Sequence, residues 1–490
     1  MTAHSSLIPL LTAIDDARVL CIGDIMLDRF VSGEVARISP EAPVPVLRIA
    51  EETEMLGGVG NVVRNLVGLG GGATLVATVG DDLTGNAVEH MISESSQIEP
   101  ALVIDAKRPT TIKTRYLAGN QQMLRADKEV TTPLDGATAE GVMAAAEHAL
   151  GRCGVLVLSD YGKGVLAGGR AQALIEMAKA AGKPVIVDPK GSDYGIYAGA
   201  DLITPNRKEL AEATGHVVNS VGAAEEAATG LMKTHGFGAV LVTLSQDGML
   251  LVTPESSQHV AAEAREVFDV SGAGDTVVAT LAGALAAGGS LKDAMRLANV
   301  AAGIVVGKVG TAAVYSAELI ASLHHQEISR AEAKVLTFKE ARDRVEIWRR
   351  QKVEIGFTNG CFDLLHPGHI SLLNQAKQNC ERLIVGLNSD ESVARLKGPT
   401  RPVQSEAGRA TVLASLAAVD LVVIFEEDTP LELINSLRPD VLVKGADYAK
   451  EDVVGGKEVE SWGGRVHLAE LAPGHSTTNT IQRLSESNGK

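Results

Sequence analysis

Apolar, β-branched runs alternate with segments of helical spacing through the first 310 or so residues: ARVLCIGD, GNVVRNLVGL, ATLVATVG, GVLVLSD, KPVIVDP, DLITPN and AVLVTLS. Strand and helix in alternation predict an α/β fold built on a mostly parallel sheet covered on both faces. Between Phe30 and Ile49 the pattern changes to a short polar stretch, two X-Pro turns and the run VPVLRI, which predicts a small β-lid projecting from the sheet. From about Glu318 to Lys352 the chain is charged, and TFKEARDRVEIWRRQ sets apolar residues at helical spacing among mixed charges. A second α/β pattern follows in VEIGFTNG, RLIVGLNSD, DLVVIFEED and DVLVKGADY. The expected organisation is therefore a first domain over 1–318, a linker and lead-in helix over 319–352, and a second domain over 353–490, with no internal repeat.

Composition narrows the class. With 45% hydrophobic and 22% charged residues over 490 positions, the chain reads as globular and too long for one core. A net charge of −16 argues against a nucleic-acid partner, so any phosphate site must be local. Cys21, Cys153, Cys361 and Cys380 are widely spaced, which suits a reducing cytoplasm. The first residues lack a basic region ahead of a short apolar run that Asp15 and Asp16 interrupt, and no apolar run reaches membrane-spanning length. A cytoplasmic protein with no membrane partner is expected.

Two segments carry candidate chemistry. DVSGAGD, Asp269 to Asp275, precedes the helical run TVVATLAGALAAG. Glycines directly before a helix leave amides unhindered and aimed at an anion at the positive end of the helix dipole. Asp275 can take a proton from a hydroxyl while the amides of Gly272, Ala273 and Gly274 neutralise charge growing on a transferred phosphoryl group. A plain Gly-rich turn with Asp275 as N-cap uses the same residues. Upstream, GGVGN at Gly57 to Asn61 opens another helix, and Asn206 and Glu209 of ITPNRKEL lie three apart, where both can face one Mg²⁺ or its waters.

GDIMLD, GGVGN, NRKE and DVSGAGD, in this order, resemble the ribokinase family, also called the phosphofructokinase B family, over about residues 15 to 315. The resemblance implies a three-layer domain with a small β-lid and ATP as phosphoryl donor. It implies Asp275 as catalytic base, Gly272 to Gly274 as anion hole, and the NRKE segment, Asn206, Arg207, Lys208 and Glu209, on the nucleotide side with Mg²⁺ held indirectly through water. Asp24, Gly57, Gly58 and Asn61 would hold the sugar, with Lys163 and Arg115 as candidates for a phosphate already on it. Val270 stands where the family usually has Thr, and Ser245 where Gly is common; neither change removes an amide or the base. The lid resembles segments that pair subunits in ribokinase relatives, so a homodimer is expected.

In the second domain VEIGFTNG runs into CFDLLHPGHISLLNQAKQ, and Pro367 suits a first helical turn. His366 and His369 then share one side of a helix start, where two imidazoles can donate to a triphosphate and stabilise charge at the α-phosphorus. A metal site is the alternative, although no third ligand is placed to complete it. TNGCFDLLHPGH, KGPTRP, VLVKGADY and STTNTIQR resemble the cytidylyltransferase-like nucleotidyltransferases over about residues 353 to 490, implying a Rossmann-like HxGH domain. The resemblance implies that His366 and His369 bind nucleotide phosphates with Lys444 nearby, and that Thr358, Asn359, Phe362 and Asp363 line the nucleotide loop. Ser476, Thr477 and Thr478 would hold the outer phosphates, and Lys397 and Arg401 would meet the anionic acceptor.

A kinase followed by a nucleotidyltransferase resembles the bifunctional heptose kinase and adenylyltransferase enzymes of Gram-negative bacteria, over nearly the whole chain. That resemblance implies ATP-dependent phosphorylation of D-glycero-β-D-manno-heptose 7-phosphate at C1, and formation of ADP-heptose from heptose 1-phosphate and ATP. The 7-phosphate must leave between the two steps, and nothing in the chain resembles a phosphatase, so a separate bisphosphate phosphatase is expected.

Overall fold

In the strand Arg18–Gly23 every residue after the first is buried, and alternate side chains enter different cores, Val19 and Cys21 one, Leu20 and Ile22 the other. An unbroken apolar run of this kind suits only a strand covered on both faces. The computed structural model describes residues 7–119, 121–263, 267–308, 310–446 and 449–470. It divides into two compact units between Leu323 and His324.

The first unit is built on a nine-stranded sheet in the order Ser257–Val260, Met249–Val252, Ala239–Thr243, Leu202–Ile203, Val185–Asp188, Val155–Ser159, Arg18–Gly23, Gly72–Val79 and Ile98–Ile104. All neighbours are parallel except at the end where Met249–Val252 and Ser257–Val260 fold back. Helices Val59–Gly68, Ala273–Ala286 and Leu291–Val305 cover one face through Val62, Val278, Leu281 and Met295. Helices Gly136–Leu150, Arg170–Ala180 and Val221–His235 cover the other through Val142, Leu174 and Leu231. The result is the expected three layers.

The lid is larger than its sequence signal. It is a four-stranded sheet in the order Pro45–Gly58, Ile25–Ile38, Thr111–Ala118 and Gln121–Lys128. Its inner pairing, Met26 with Thr111, joins segments far apart in the chain. Gln121–Lys128 is exposed along its whole length, so it carries no apolar alternation to betray it.

A buried polar chain fixes the helices that meet beneath the first site. The Asn65 amide donates to the Asn61 carbonyl at 2.9 Å, and its oxygen accepts from the Thr276 hydroxyl at 2.9 Å and the Val314 amide at 3.1 Å. Asn65 thereby ties helix Val59–Gly68 to helix Ala273–Ala286 and to the chain entering residue 314.

The second unit holds six parallel strands in the order Val335–Leu336, Leu421–Phe425, Arg382–Asn388, Ile355–Gly360, Val441–Gly445 and Arg465–Ala469. The chain runs from Ile355–Gly360 outward to one side and then returns to the other, which makes that strand a topological switch point. Residues 319–352 are not merely a linker. Val335–Leu336 pairs with Val422 and Val423, and helix Phe338–Arg350 starts with a Thr337–Glu340 capping box. That helix buries Ala341, Val345 and Trp348 in the second unit's core. The helix is the lead-in helix that the apolar spacing among mixed charges predicts, whereas the two residues of Val335–Leu336 are too few to read as a strand. Among the described residues no helix is long and apolar enough to cross a membrane.

Asn65→Ala should leave the Val314 amide without its buried partner, at about 1–3 kcal/mol, and leave the Thr276 hydroxyl only the Gly272 carbonyl as acceptor. Calorimetry of the full chain should show the first unit's transition fall while the second unit's stays in place; an unmoved first transition would deny the network its structural role.

Candidate active sites

Gly272 caps helix Ala273–Ala286 in the left-handed region at φ 80°. A Cβ there would lie 2.6 Å from the Asn61 amide nitrogen, so only glycine leaves Asn61 its place. Asp275 follows in the first turn and is 3% exposed. Asn61 Nδ2 donates to its Oδ2 at 2.8 Å and the Tyr161 hydroxyl donates to its Oδ1 at 2.7 Å. Burial pushes the Asp275 carboxyl up to about 6, against the two donated hydrogen bonds; Asp28 adds to the rise and Lys113 opposes it. This is a carboxylate aligned by two donors, basic enough to accept a proton near neutrality, in the first turn of a helix whose Ala273 amide meets the Val270 carbonyl at 3.3 Å.

The sugar-side residues divide into those that face the site and those that build it. The Asp24 carboxylate is taken up by the backbone amides of Tyr161 at 2.9 Å, Lys163 at 2.9 Å and Val165 at 3.1 Å. Asp24 therefore anchors the loop that presents Tyr161. Asp28, four residues on, is the carboxylate beside the base; it is 3% exposed and ion-paired with Arg115. A Cβ on Gly57 would stand 2.2 Å from an Asp28 oxygen, and one on Gly58 would stand 2.2 Å from the Asp24 carbonyl. Both glycines make room for these acids. Lys163 pairs with Glu129 at 2.8 Å.

On the nucleotide side, Asn206 and Glu209 form a capping box at the start of helix Arg207–Thr214, and the other Glu209 oxygen meets Lys190 at 3.1 Å. The N-cap role and the expected ion-organising role thus fall on the same pair. Arg207 bonds Asp247 and the Leu244 carbonyl, bracing the turn in which Ser245 takes a positive φ of 56°, the conformation that favours glycine. Lys208 does not reach the site: its side chain is 84% exposed and pairs with Glu212 on its own helix. Asp188 is held well above the ordinary carboxylate range by burial and by the charges of Asp275 and Glu209. No cluster of three or more ligating side chains among the described residues stands ready to cage a metal. This shared acidic field fits a divalent ion held through waters and substrate phosphates, the habit of Mg²⁺.

In the second unit the C-terminal end of Ile355–Gly360 carries Thr358 and Asn359. The Thr358 hydroxyl and the Asn359 side-chain amide oxygen Oδ1 are buried with no hydrogen-bond partner among the described residues. Such atoms are completed by a ligand at a switch-point crevice. His366 is the N-cap of helix Pro367–Gln378, and its ring stacks on His369 with centroids 3.8 Å apart. The Phe362 ring lies 5.1 Å from that of His369, its backbone at a positive φ of 44°. Burial, and then His366, lower His369 to about 4, so its imidazole is neutral at pH 7. The Lys444 ammonium reaches the Asn359 carbonyl at 3.3 Å, across adjacent strands.

Asp363 and Arg401, read from sequence as nucleotide-loop and acceptor residues, pair with each other, and Asp363 also accepts from the Val403 amide at 2.7 Å. Lys397 is exposed at the end of helix Asp390–Lys397. Ser476, Thr477 and Thr478 lie outside the described residues. Arg409, absent from the sequence reading, is fully buried and donates to the Cys361 carbonyl at 2.6 Å, the Gln404 carbonyl at 3.1 Å and Asp390 at 2.7 Å. It thus clamps the start of the HPGH loop. Tyr161, Asp28, Lys113, Asp188 and Lys190 were likewise missed, although Asp28 lies in GDIMLD, Asp188 in KPVIVDP with Lys190 just after it, and Tyr161 just after GVLVLSD.

Residues 16–318 match the pfkB family of carbohydrate kinases, and residues 357–482 match the cytidylyltransferase-like family. The first unit's fold is that of phosphofructokinase-2 from Escherichia coli, with a TM-score of 0.53 and 22% identity over 63% of this chain and 98% of that one. Ribokinase from Arabidopsis thaliana gives 0.50 and 19% over 63% and 99%. The bifunctional protein HldE of Paramagnetospirillum magneticum is 60% identical over 99% of this chain and 100% of its own. HldE of Rhodospirillum rubrum is 55% identical over 99% and 98%, and that of Caulobacter vibrioides 56% over 95% and 96%. With the doubly held Asp275 in the unit that matches the first family and the stacked histidine pair in the unit that matches the second, this chain belongs to the bifunctional HldE family, a pfkB-type carbohydrate kinase continuous with a cytidylyltransferase-like nucleotidyltransferase.

Proposed function

We propose that the first unit transfers the γ-phosphoryl group of ATP to the C1 hydroxyl of D-glycero-β-D-manno-heptose 7-phosphate, and that the second unit joins AMP from ATP to heptose 1-phosphate. The products of the second step are ADP-heptose, for the lipopolysaccharide core, and pyrophosphate. The observation that carries this reading is the pairing in one chain of a buried, two-point-held Asp275 with a stacked HPGH histidine pair at a switch point. A phosphate placed on an anomeric hydroxyl is what a nucleotidyltransferase needs as acceptor.

In the kinase step Asp275 accepts the hydroxyl proton as the sugar oxygen bonds to the γ-phosphorus and ADP leaves. The amides of Gly272, Ala273 and Gly274 face the charge on the transferring group. Asn206 and Glu209, with Asp188, would hold Mg²⁺ through its waters, and the ion would supply charge neutralisation to the phosphates. In the second step the acceptor phosphate attacks the α-phosphorus of ATP and pyrophosphate leaves, while His366, His369 and Lys444 donate to the phosphates. The 7-phosphate is removed between the steps by a separate phosphatase. The lid sheet, with Ile38, Ile49 and Leu124 exposed, supports pairing of two copies through the kinase unit. Its substrates are cytoplasmic metabolites, and the enzyme works there.

Purified full-length protein given ATP, Mg²⁺ and the heptose 7-phosphate should yield the 1,7-bisphosphate, and ADP-heptose should appear by mass only when a bisphosphate phosphatase is added. Absence of the bisphosphate from a folded preparation would remove the heptose assignment. Asp275→Asn should lower the kinase rate by about 10²–10⁴ while adenylyl transfer from supplied heptose 1-phosphate continues. Because the base acts when ionised and its carboxyl sits at about 6, the wild-type kinase rate should fall as pH drops through that value and level off above it. His366→Ala should do the reverse of Asp275→Asn, abolishing ADP-heptose formation and sparing the bisphosphate; parallel loss of both activities would mean the two sites are not separable.

A further inference from the structure

The two hydrogen bonds to Asp275 differ in what stands behind them. Asn61 belongs to helix Val59–Gly68 and is fully buried; its side-chain oxygen accepts from Asn65 at 3.2 Å, and a Cβ on Gly272 would lie 2.6 Å from its nitrogen. That donor is fixed. Tyr161 lies in the loop after strand Val155–Ser159, with its backbone amide held by Asp24 at 2.9 Å. Its side chain is partly exposed, and among the described residues its hydroxyl makes one hydrogen bond, to Asp275. Burial, and then the charge of Asp275, push the phenol well above the ordinary tyrosine value, so it stays protonated and donates. Rotation of this one side chain frees Asp275 Oδ1 while the backbone stays in place.

An acceptor hydroxyl has to make the contact that the phenol makes. A carboxylate oxygen can take more than one hydrogen bond, yet Asp275 is 3% exposed, and a third donor reaches it only if one of the present two withdraws. Only Tyr161 can give way. Asp28 on strand Ile25–Ile38, Lys113 on Thr111–Ala118 and Asp188 on Val185–Asp188 act on this pair through space, and among the described residues none of them bonds to Asp275. Hydrolysis of ATP would need a water oxygen to bond to the γ-phosphorus while its proton passes to Asp275 and ADP leaves. With the phenol in place, such a water meets a covered base.

We propose that Tyr161 selects the sugar hydroxyl over water as phosphoryl acceptor: its hydroxyl covers Asp275 until a bound sugar turns the side chain away and the sugar's own hydroxyl takes over the hydrogen bond. The assignment rests on the first unit being a sugar kinase with Asp275 as its base. A sugar gathers binding energy from contacts away from the reacting hydroxyl and spends part of it on displacing the phenol. A single water has no such contacts to spend.

The test uses the full chain with ATP and Mg²⁺ at about pH 8, where Asp275, at about 6, is ionised. Inorganic phosphate released without sugar reports hydrolysis at the first unit, because nucleotidyl transfer releases pyrophosphate. Tyr161→Phe should raise this release about 10-fold or more, the effect of losing one hydrogen bond to a charged group, and lower KM for heptose 7-phosphate by a similar factor. A merely structural role would slow both reactions and raise KM. With 3-fluorotyrosine in place of Tyr161, a stronger donor of nearly the same shape holds the base, so phosphate release should fall and KM should rise. Release no faster than wild type in a folded Tyr161→Phe, or a KM that rises, overturns the proposal. Where calorimetry shows the first unit of Tyr161→Phe unfolded, the fluorotyrosine protein decides, and unchanged release and KM in it overturn the proposal. A wild type that does not phosphorylate heptose 7-phosphate removes the sugar assignment instead, and the sugar-free release still reads the cover on Asp275.

Discussion

A carboxylate with almost no exposure has to be held, because burial alone would protonate it and leave it useless as a base. Here the holding is done by two donors of different origin, Asn61 on Oδ2 and Tyr161 on Oδ1. Each donor brings its own support. Asn61 is backed by Asn65 and needs Gly272 to lack a side chain. Tyr161 is presented by a loop whose amides are gathered on Asp24 and whose Asp160 is bonded to Tyr197 at 2.6 Å. The glycines, the acid at the end of the first strand and the asparagine chain all follow from the need to keep one oxyanion ionised and aimed.

The second unit meets a related problem with different means. Its histidines are stacked, and burial together with His366 holds the half-buried His369 down at about 4, so this ring carries no standing positive charge at pH 7. The positive charges lie around it, on Lys444 across the adjacent strand and on Arg409 beneath the loop. Arg409 is a buried cation whose donors meet two carbonyls and a carboxylate, so its desolvation is matched by charge-assisted bonds. Asp363 and Arg401 join the HPGH segment to the segment after it in the same manner.

Some differences between sequence reading and structure share one cause. Asp24 and Asp28 occupy the same six-residue motif, and spacing alone gives no reason to prefer either. Only the fold places three amides on the first and leaves the second beside the base. The N-x-x-E pair and Lys208 likewise sit in one short segment, yet the helix turns Lys208 to solvent and draws Glu209 toward Asp188.

The sequence by itself determined what depends on local order: the two strand–helix patterns, the glycines ahead of each anion-binding helix, Asp275, His366 and His369. Periodicity and helix-start chemistry act over a few residues, so they are written in a linear stretch. The four-stranded lid, the second unit's edge strand, and the meeting of Tyr161, Asn61, Asp28 and Lys113 around one base were decided by the tertiary structure. These residues come from separate segments, and whether a charge or a hydroxyl there becomes a working group depends on the partner that folding places within hydrogen-bond reach and on the water it removes.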